Sequence, residues 1–180
     1  HWGANWNKGF DIYQKLDRLL NDSYWNNKIE FSYIGNLPKN FEFKNSTHIP
    51  PLSGIKLASK LKENHLYITA SKNEPSGNHH IEAAQCSLPI LFINSGGIPE
   101  YCNDYGLIFE ENNFEDKLNE IYENYEIYYN KILNYPFNAR KMCSEYLTLF
   151  NELNKRKNQI LETRNIKNLK TTNQYLFRLK

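Results

Sequence analysis

Two short apolar runs, His65-Leu-Tyr-Ile-Thr-Ala and Leu88-Pro-Ile-Leu-Phe-Ile, flank the segment Asn73-Glu-Pro-Ser-Gly-Asn-His-His-Ile-Glu-Ala-Ala-Gln-Cys. No other feature constrains the fold as much. Each run has the length and composition of a strand, and the segment between them carries a Ser-Gly turn followed by a helix start. Strand, glycine turn, helix and strand in that order form the unit with which α/β proteins hold phosphorylated ligands. Two carboxylates, Glu74 and Glu82, stand eight positions apart inside it.

The rest of the chain repeats the same rhythm. Phe10, Ile12, Tyr13, Leu16, Leu19 and Leu20 recur at helical spacing, which predicts a helix over 9–21 packed on a sheet. Residues 29–34 follow as a strand closed by Gly35-Asn36, and 46–52 as a short strand ended by its prolines, neither of which can donate to a ladder. Ser53 is placed to cap a helix containing Ile55, Leu57, Ala58 and Leu61. Beyond strand 65–70, helix 78–86 and strand 89–93, the stretch Ser95-Gly-Gly-Ile-Pro-Glu opens a short helix near Glu100. Gly106-Leu-Ile-Phe is the last strand.

A stripe from Phe114 through Ile132 predicts one helix stopped near Pro136, and a second runs from about Asn138 to Leu153. The expected class is therefore α/β, a Rossmann-like, mostly parallel sheet with helices on both faces. Residues 1–154 form that domain. Residues 155–180 form a basic tail whose weak apolar pattern suits either a helix or a solvated, partly disordered extension.

A chain of 180 residues fits one domain with a core that needs no staples. Cys86, Cys102 and Cys143 are odd in number and lack metal-ligand spacing, which favours a reduced, cytoplasmic setting and ordinary buried thiols. No stretch is long and apolar enough to span a membrane. The chain opens on His1-Trp2, without an initiator Met and like the end of a strand, so it reads as a fragment of a longer protein. Its net charge of +2 hides an asymmetry: residues 151–180 carry eight basic and two acidic side chains, and the remainder is acidic. The body is thus no nucleic-acid surface. The tail, with Leu176, Phe177 and Leu179, could dock peripherally on an anionic membrane or pack on another domain.

In a parallel α/β sheet, ligands lie beyond the carboxyl ends of the strands. Glu74 falls just past such an end, and Gly77 lets the backbone approach a ligand. The amides at 77–79 would aim free donors at a phosphate, helped by the helix dipole. Glu82, one turn further on and on the face of Asn78, can accept two hydrogen bonds from a vicinal diol such as ribose. A helix glutamate is more commonly a solvated surface charge. Glu82, however, is flanked by Ile81, Ala83 and Ala84 and follows a glycine turn. His79 and His80 read as turn or surface residues, with a phosphate contact as the alternative.

Taken together, Glu74-Pro-Ser-Gly, Glu82-Ala-Ala-Gln-Cys-Ser-Leu-Pro, Gly96-Gly-Ile-Pro-Glu and Tyr105-Gly-Leu-Ile-Phe resemble the nucleotide-sugar half of retaining GT-B glycosyltransferases of group 1, with their E-x7-E motif. Lys8-Gly9-Phe-Asp resembles the family's K-G segment, and the likeness covers roughly residues 1–150. It implies a UDP, GDP or ADP sugar as donor substrate, a hexose moved to a glycan, lipid or other acceptor, and no cofactor or metal. Lys8, Gly77 and Asn78 would bind the diphosphate. Glu82 would bind the ribose, and Ile49, Pro50 and Leu52 the base. Glu74 would act as the catalytic carboxylate near the reacting carbon. The acceptor would be held by an amino-terminal domain that this chain lacks. Two positions depart from the family pattern: Trp2 stands where arginine is common, and Ser87 where glycine is usual. A GT-B-like epimerase or phosphorylase, or a degenerate nucleotide-binding module, are the competing readings.

Overall fold

The computed structural model describes residues 3–164. They fall into two compact units, and the chain passes from the first to the second between Phe137 and Asn138. In the first unit the helices are α1 (Phe10–Leu19), α2 (Ser23–Asn26), α3 (Gly54–Leu61), α4 (His79–Gln85), α5 (Ile98–Cys102), α6 (Phe114–Glu123) and α7 (Tyr125–Ile132). The strands are β1 (Ser32–Ile34), β2 (Thr47–Ile49), β3 (Tyr67–Thr69), β4 (Ile90–Ile93) and β5 (Gly106–Phe109). A short 3-10 turn, Trp6–Lys8, precedes α1.

Among the described residues every strand pairing is parallel: β1 with β2, and β3 with β4 with β5. The strands thus form two sheets, in the orders β1-β2 and β3-β4-β5. All four residues of β4 are buried, as expected of a strand covered on both faces. Its side chains alternate between two apolar layers. Leu91 and Ile93 join Phe10, Tyr13 and Leu16 of α1 and Leu118 and Ile121 of α6. Ile90 and Phe92 join Ala84 of α4, Ile98 and Cys102 of α5 and Ile132 of α7. The chain is therefore a mixed α/β structure of the Rossmann-like kind.

Differences from the expected elements have local causes. The single helix expected from Phe114 to Pro136 is two, broken at Asn124. There both the backbone amide and the side-chain amide of Asn124 donate to the Glu120 carbonyl, at 3.1 and 2.8 Å. An Asn side chain competing for helix carbonyls offers the backbone a way out of the helix. Ser53 does stand at the N-cap of α3, but its side chain makes no capping bond.

Asp17 of α1, which periodicity leaves unremarked, is buried and ties down the loop ahead of β2. Its carboxylate accepts the amides of Lys44 and Asn45 at 3.0 and 2.9 Å and the Ser46 hydroxyl at 2.6 Å. Of the cysteines, only Cys102 is fully buried, where burial pushes its thiol up to about 12, while Cys143 is exposed.

Ser87 has a φ of 63° at the end of α4, in the left-handed region that favours glycine. A glycine would adopt this conformation without the Cβ penalty that Ser87 bears. Ser87→Gly is expected to raise the unfolding free energy by about 0.5–1 kcal/mol, measured by urea denaturation, because relief of strain exceeds the extra freedom given to the unfolded chain.

In the second unit α8 spans Ala139–Lys155 and α9 spans Lys157–Thr163. The Asn138 side chain caps α8 by accepting the Lys141 amide at 2.9 Å. The amino-terminal part of the basic tail is thus helical. Lys167, Lys170, Leu176, Phe177, Arg178, Leu179 and Lys180, together with His1 and Trp2, lie outside the described residues. Among the described residues no helix is long and apolar enough to cross a membrane.

Candidate functional site

Three backbone segments converge beyond the carboxyl ends of β3 and β4. The turn before α1 is held there by an amide from Lys72 to the Asn7 carbonyl at 2.7 Å. Gly9, with φ of 89°, makes this approach feasible, since a Cβ there would lie 2.4 Å from the Ala70 Cβ. The result brings Lys8 to Glu74: the lysine Nζ stands 2.5 Å from Oε2, and both side chains are mostly shielded, at 24% and 14% exposure.

The loop after β4 supports Glu74 from the other side. The Gly97 amide donates to the Glu74 carbonyl at 2.8 Å, and Ser95 Oγ accepts the Asn73 amide at 2.9 Å. A Cβ at Gly96 would meet the Glu74 carbonyl oxygen at 2.4 Å, and one at Gly97 the Pro75 oxygen at the same distance. The Gly-Gly pair is there because two backbones touch. A cation, a carboxylate and a glycine-lined turn are thereby fixed at the mouth of a parallel sheet, a geometry suited to an anionic ligand.

Gly77 is crowded by the site itself, for a Cβ there would lie 2.8 Å from His79 Nε2 and 3.0 Å from Glu74 Cγ. Asn78 stands at the N-cap of α4 and is exposed. His79 and His80 depart from the expectation of turn or surface residues. His80 is fully buried, its ring 5.5 Å from that of Tyr101, and among the described residues neither of its nitrogens has a hydrogen-bond partner. His79 Nδ1 lies 3.1 Å from the Tyr67 hydroxyl. The adjoining Ile81-Glu82-Ala83-Ala84 run was the signal available: α4 must bury a face against β4 and α3, and His80 falls on it.

Burial holds both imidazoles neutral, lowering His79 to about 3, with His80 and Lys8 adding to the effect, and His80 to about 4. Since the unfolded chain binds these protons near pH 6.5, the folded state loses stability as pH falls from 6.5 toward those depressed values. The urea midpoint is expected to drop between pH 7 and pH 5, and His80→Leu to flatten that slope. An unchanged slope in the variant would remove His80 from this account.

Glu82 is exposed, and its carboxylate has no hydrogen-bond or ion-pair partner among the described residues. It lines one end of a cleft of about 730 Å³ together with Pro51 and Leu52, the loop between β2 and α3. Of the three residues expected around the base, Leu52 thus faces the same cleft as Glu82. Ile49 and Pro50 do not line it, and the Ile49 carbonyl accepts the Gly35 amide at 3.0 Å.

Sequence reasoning missed Lys72, which follows β3 and bridges Asp11 at 2.7 Å and Glu111 at 2.5 Å, and so is already neutralised. The arginine position held by Trp2 lies outside the described residues. Among the described residues no group of three His, Cys, Asp or Glu side chains is arranged to hold a metal ion.

A search of curated proteins finds no match. Among solved structures, the chain is similar to one titled "Crystal Structure of TarM", with a TM-score of 0.59 and 17% identity. The match covers 84% of this chain and 34% of that one, so the chain spans about a third of that protein's length. At such identity the likeness shows the fold, a Rossmann-like half of a GT-B architecture. The family model "Glycosyl transferases group 1" matches residues 30–146, which takes in Glu74, Gly77, Asn78 and Glu82 but not Lys8. With well over half of its residues inside that match, the chain belongs to the glycosyl transferases group 1 family.

Proposed function

We propose that the first unit binds the nucleoside-diphosphate sugar of a retaining glycosyltransferase, whose acceptor is held by a separate amino-terminal domain. The observation that carries this reading is the Lys8–Glu74 pair, set against Gly96-Gly97 at the carboxyl ends of β3 and β4. A bound diphosphate competes with Glu74 for the Lys8 ammonium, and the amides at Gly77 and Asn78 approach it from the α4 side. Glu82, whose carboxylate has no partner among the described residues, accepts the ribose hydroxyls, and Leu52 with its neighbours Ile49 and Pro50 borders the base. Released from Lys8, Glu74 turns to the donor sugar near its anomeric carbon. In the transfer step the bond from that carbon to the diphosphate oxygen breaks, a bond to the acceptor hydroxyl oxygen forms on the same face, and the hydroxyl proton passes to the departing diphosphate. Negative charge develops on the departing diphosphate, where Lys8 and the loop amides would stabilise it. UDP, GDP and ADP sugars all fit this description, with a hexose passing to a glycan, lipid or other acceptor. No cofactor or metal is part of the proposal. The setting is cytoplasmic, with tail 155–180 as the contact to a membrane surface or to the acceptor domain.

The test uses the full-length parent protein, incubated with each labelled nucleotide sugar and a mixed acceptor pool. Expected is incorporation of label from one donor with the anomeric configuration retained, read by NMR of the product. Interconversion of the donor sugar without incorporation would replace transfer by epimerisation. An inverted product would remove the retaining assignment.

A further inference from the structure

A second cavity, of about 580 Å³, opens over the carboxyl ends of β3, β4 and β5. It shares no residue with the cleft that carries Glu82 and Leu52. Its wall nevertheless adjoins Glu74. Asn73 directly precedes that residue, and Ser95 directly precedes the Gly96-Gly97 pair packed on its backbone. The lining is built mainly of carboxamides, a hydroxyl and carboxylates: Asn73, Asn94 and Asn112, Ser95, and Glu110 with Glu111. No aromatic ring takes part.

We propose that this cavity is a subsite for an uncharged sugar unit of the acceptor, gripped by its hydroxyls; its place in the reaction rests on the transfer reading above. Three observations carry it. First, the chemistry of the lining matches a polyol. Each sugar hydroxyl both donates and accepts, a carboxamide offers two donors and an acceptor, and a carboxylate offers acceptors alone. Much of this capacity is unused. Among the described residues the side chains of Asn73 and Asn112 make no hydrogen bond, Asn94 engages only its Nδ2, and Ser95 only accepts. With no ring to stack on, a ligand here is recognised by its hydroxyl edge.

Second, the three strand exits are braced against one another. Asn73 holds a left-handed backbone, with φ of 54°, that asparagine tolerates, and its amide donates to Ser95 Oγ at 2.9 Å. Asn94 Nδ2 donates to Glu110 at 2.9 Å, and the Glu110 amide to Asn113 Oδ1 at 2.8 Å. Lys72 ties the same loop through Glu111 at 2.5 Å. A lining fixed in advance gives up little conformational freedom when it binds. Third, the charge selects the ligand. Lys72 is paired with both Asp11 and Glu111, and Glu110 adds a further carboxylate. The excess negative charge disfavours a diphosphate or an acidic sugar and leaves a neutral one. The donor's own hexose is tethered through its diphosphate to Lys8 and the α4 amides, none of which lines this cavity. A sugar ring on this side of Glu74 therefore belongs to the acceptor.

The experiment titrates the full chain, isotope-labelled for NMR, with neutral gluco-, manno- and galacto-oligosaccharides and with uronic-acid oligosaccharides of equal length. For at least one neutral series the side-chain amide signals of Asn73, Asn94 and Asn112 are expected to shift together, with a Kd of about 1–10 mM. The backbone amides of Gly77 and Asn78 should stay in place. The double variant Asn73→Gly, Asn112→Ala keeps the left-handed turn and removes two carboxamides. Read at Asn94, it should bind at least about tenfold more weakly. No shift with any neutral oligosaccharide, undiminished affinity in the double variant, or an equal response to the uronic acids overturns the proposal. UDP, GDP and ADP, added separately, should move Gly77 and Asn78 and leave the three asparagines unmoved. Failure of that arm alone tells against donor binding, and failure of the sugar arm alone against the subsite. In the full-length protein the double variant should raise KM for the acceptor about tenfold and leave KM for the donor unchanged. The reverse would assign the cavity to the donor sugar and overturn the proposal.

Discussion

Replacing Lys8 by Met in the full-length protein is expected to lower kcat/KM for glycosyl transfer by about 10²–10³, or roughly 3–4 kcal/mol of transition-state stabilisation. Lys8 is the cation that the turn before α1 delivers to Glu74, and Lys72, the other cation close by, is engaged by Asp11 and Glu111. On the proposed reading, charge on the departing diphosphate would lose its lysine counter-charge, and the Glu74 carboxylate would lose its ion-pair partner. The same change should cost little fold stability. A partly exposed ion pair contributes about 0–1 kcal/mol. A variant that loses activity while its urea midpoint stays near wild type therefore marks Lys8 as part of the site. Lys8→Arg, which keeps the charge, should recover part of the rate.

The second large effect concerns stability alone. Asp17→Ala is expected to lower the unfolding free energy by about 3 kcal/mol at pH 7, measured by urea denaturation. Its carboxylate is 5% exposed and accepts two backbone amides and the Ser46 hydroxyl. Removing it leaves the loop at 44–46 without the acceptor that ties it down, and each charge-assisted bond is worth about 1.5–3 kcal/mol. Burial alone would push this acid's pKa up. The bonds from Ser46, Lys44 and Asn45 outweigh that and hold it below the ordinary carboxylate range. With the folded pKa depressed, the stabilisation is present above the unfolded value and is lost as pH falls below about 4. The gap between Asp17→Ala and wild type should accordingly narrow toward pH 3. A gap that stays constant down to that pH would detach the effect from the carboxylate's charge.

The central unit was legible because its signals are local. β4 is a continuous apolar run, as strands buried on both faces are, and Gly96-Gly97 is needed where the backbone touches Glu74 and Pro75. The convergence of Lys8 on Glu74 was readable through the family resemblance alone, since 66 residues separate them. What escaped the sequence depends on distant partners. Asp17 looks like a solvated helix carboxylate until the loop at 44–46 folds over it. His80 is polar by type, yet α4 turns it inward among aromatic rings. The break at Asn124 hangs on a side-chain bond that a periodic stripe does not register. The division into two sheets was also invisible, because each strand carries its own pattern whichever neighbour it finds.

The most direct test of donor binding is calorimetric titration of the folded chain with UDP, GDP and ADP, repeated on Glu82→Gln. Glu82 lines the cleft beside Leu52, has no partner to release among the described residues, and can be altered without disturbing the core. Binding of at least one of the three nucleotides is predicted, weakened about tenfold or more by the substitution, in keeping with loss of a charge-assisted bond to the ribose. A sample with native circular dichroism that binds none of the three would contradict the account.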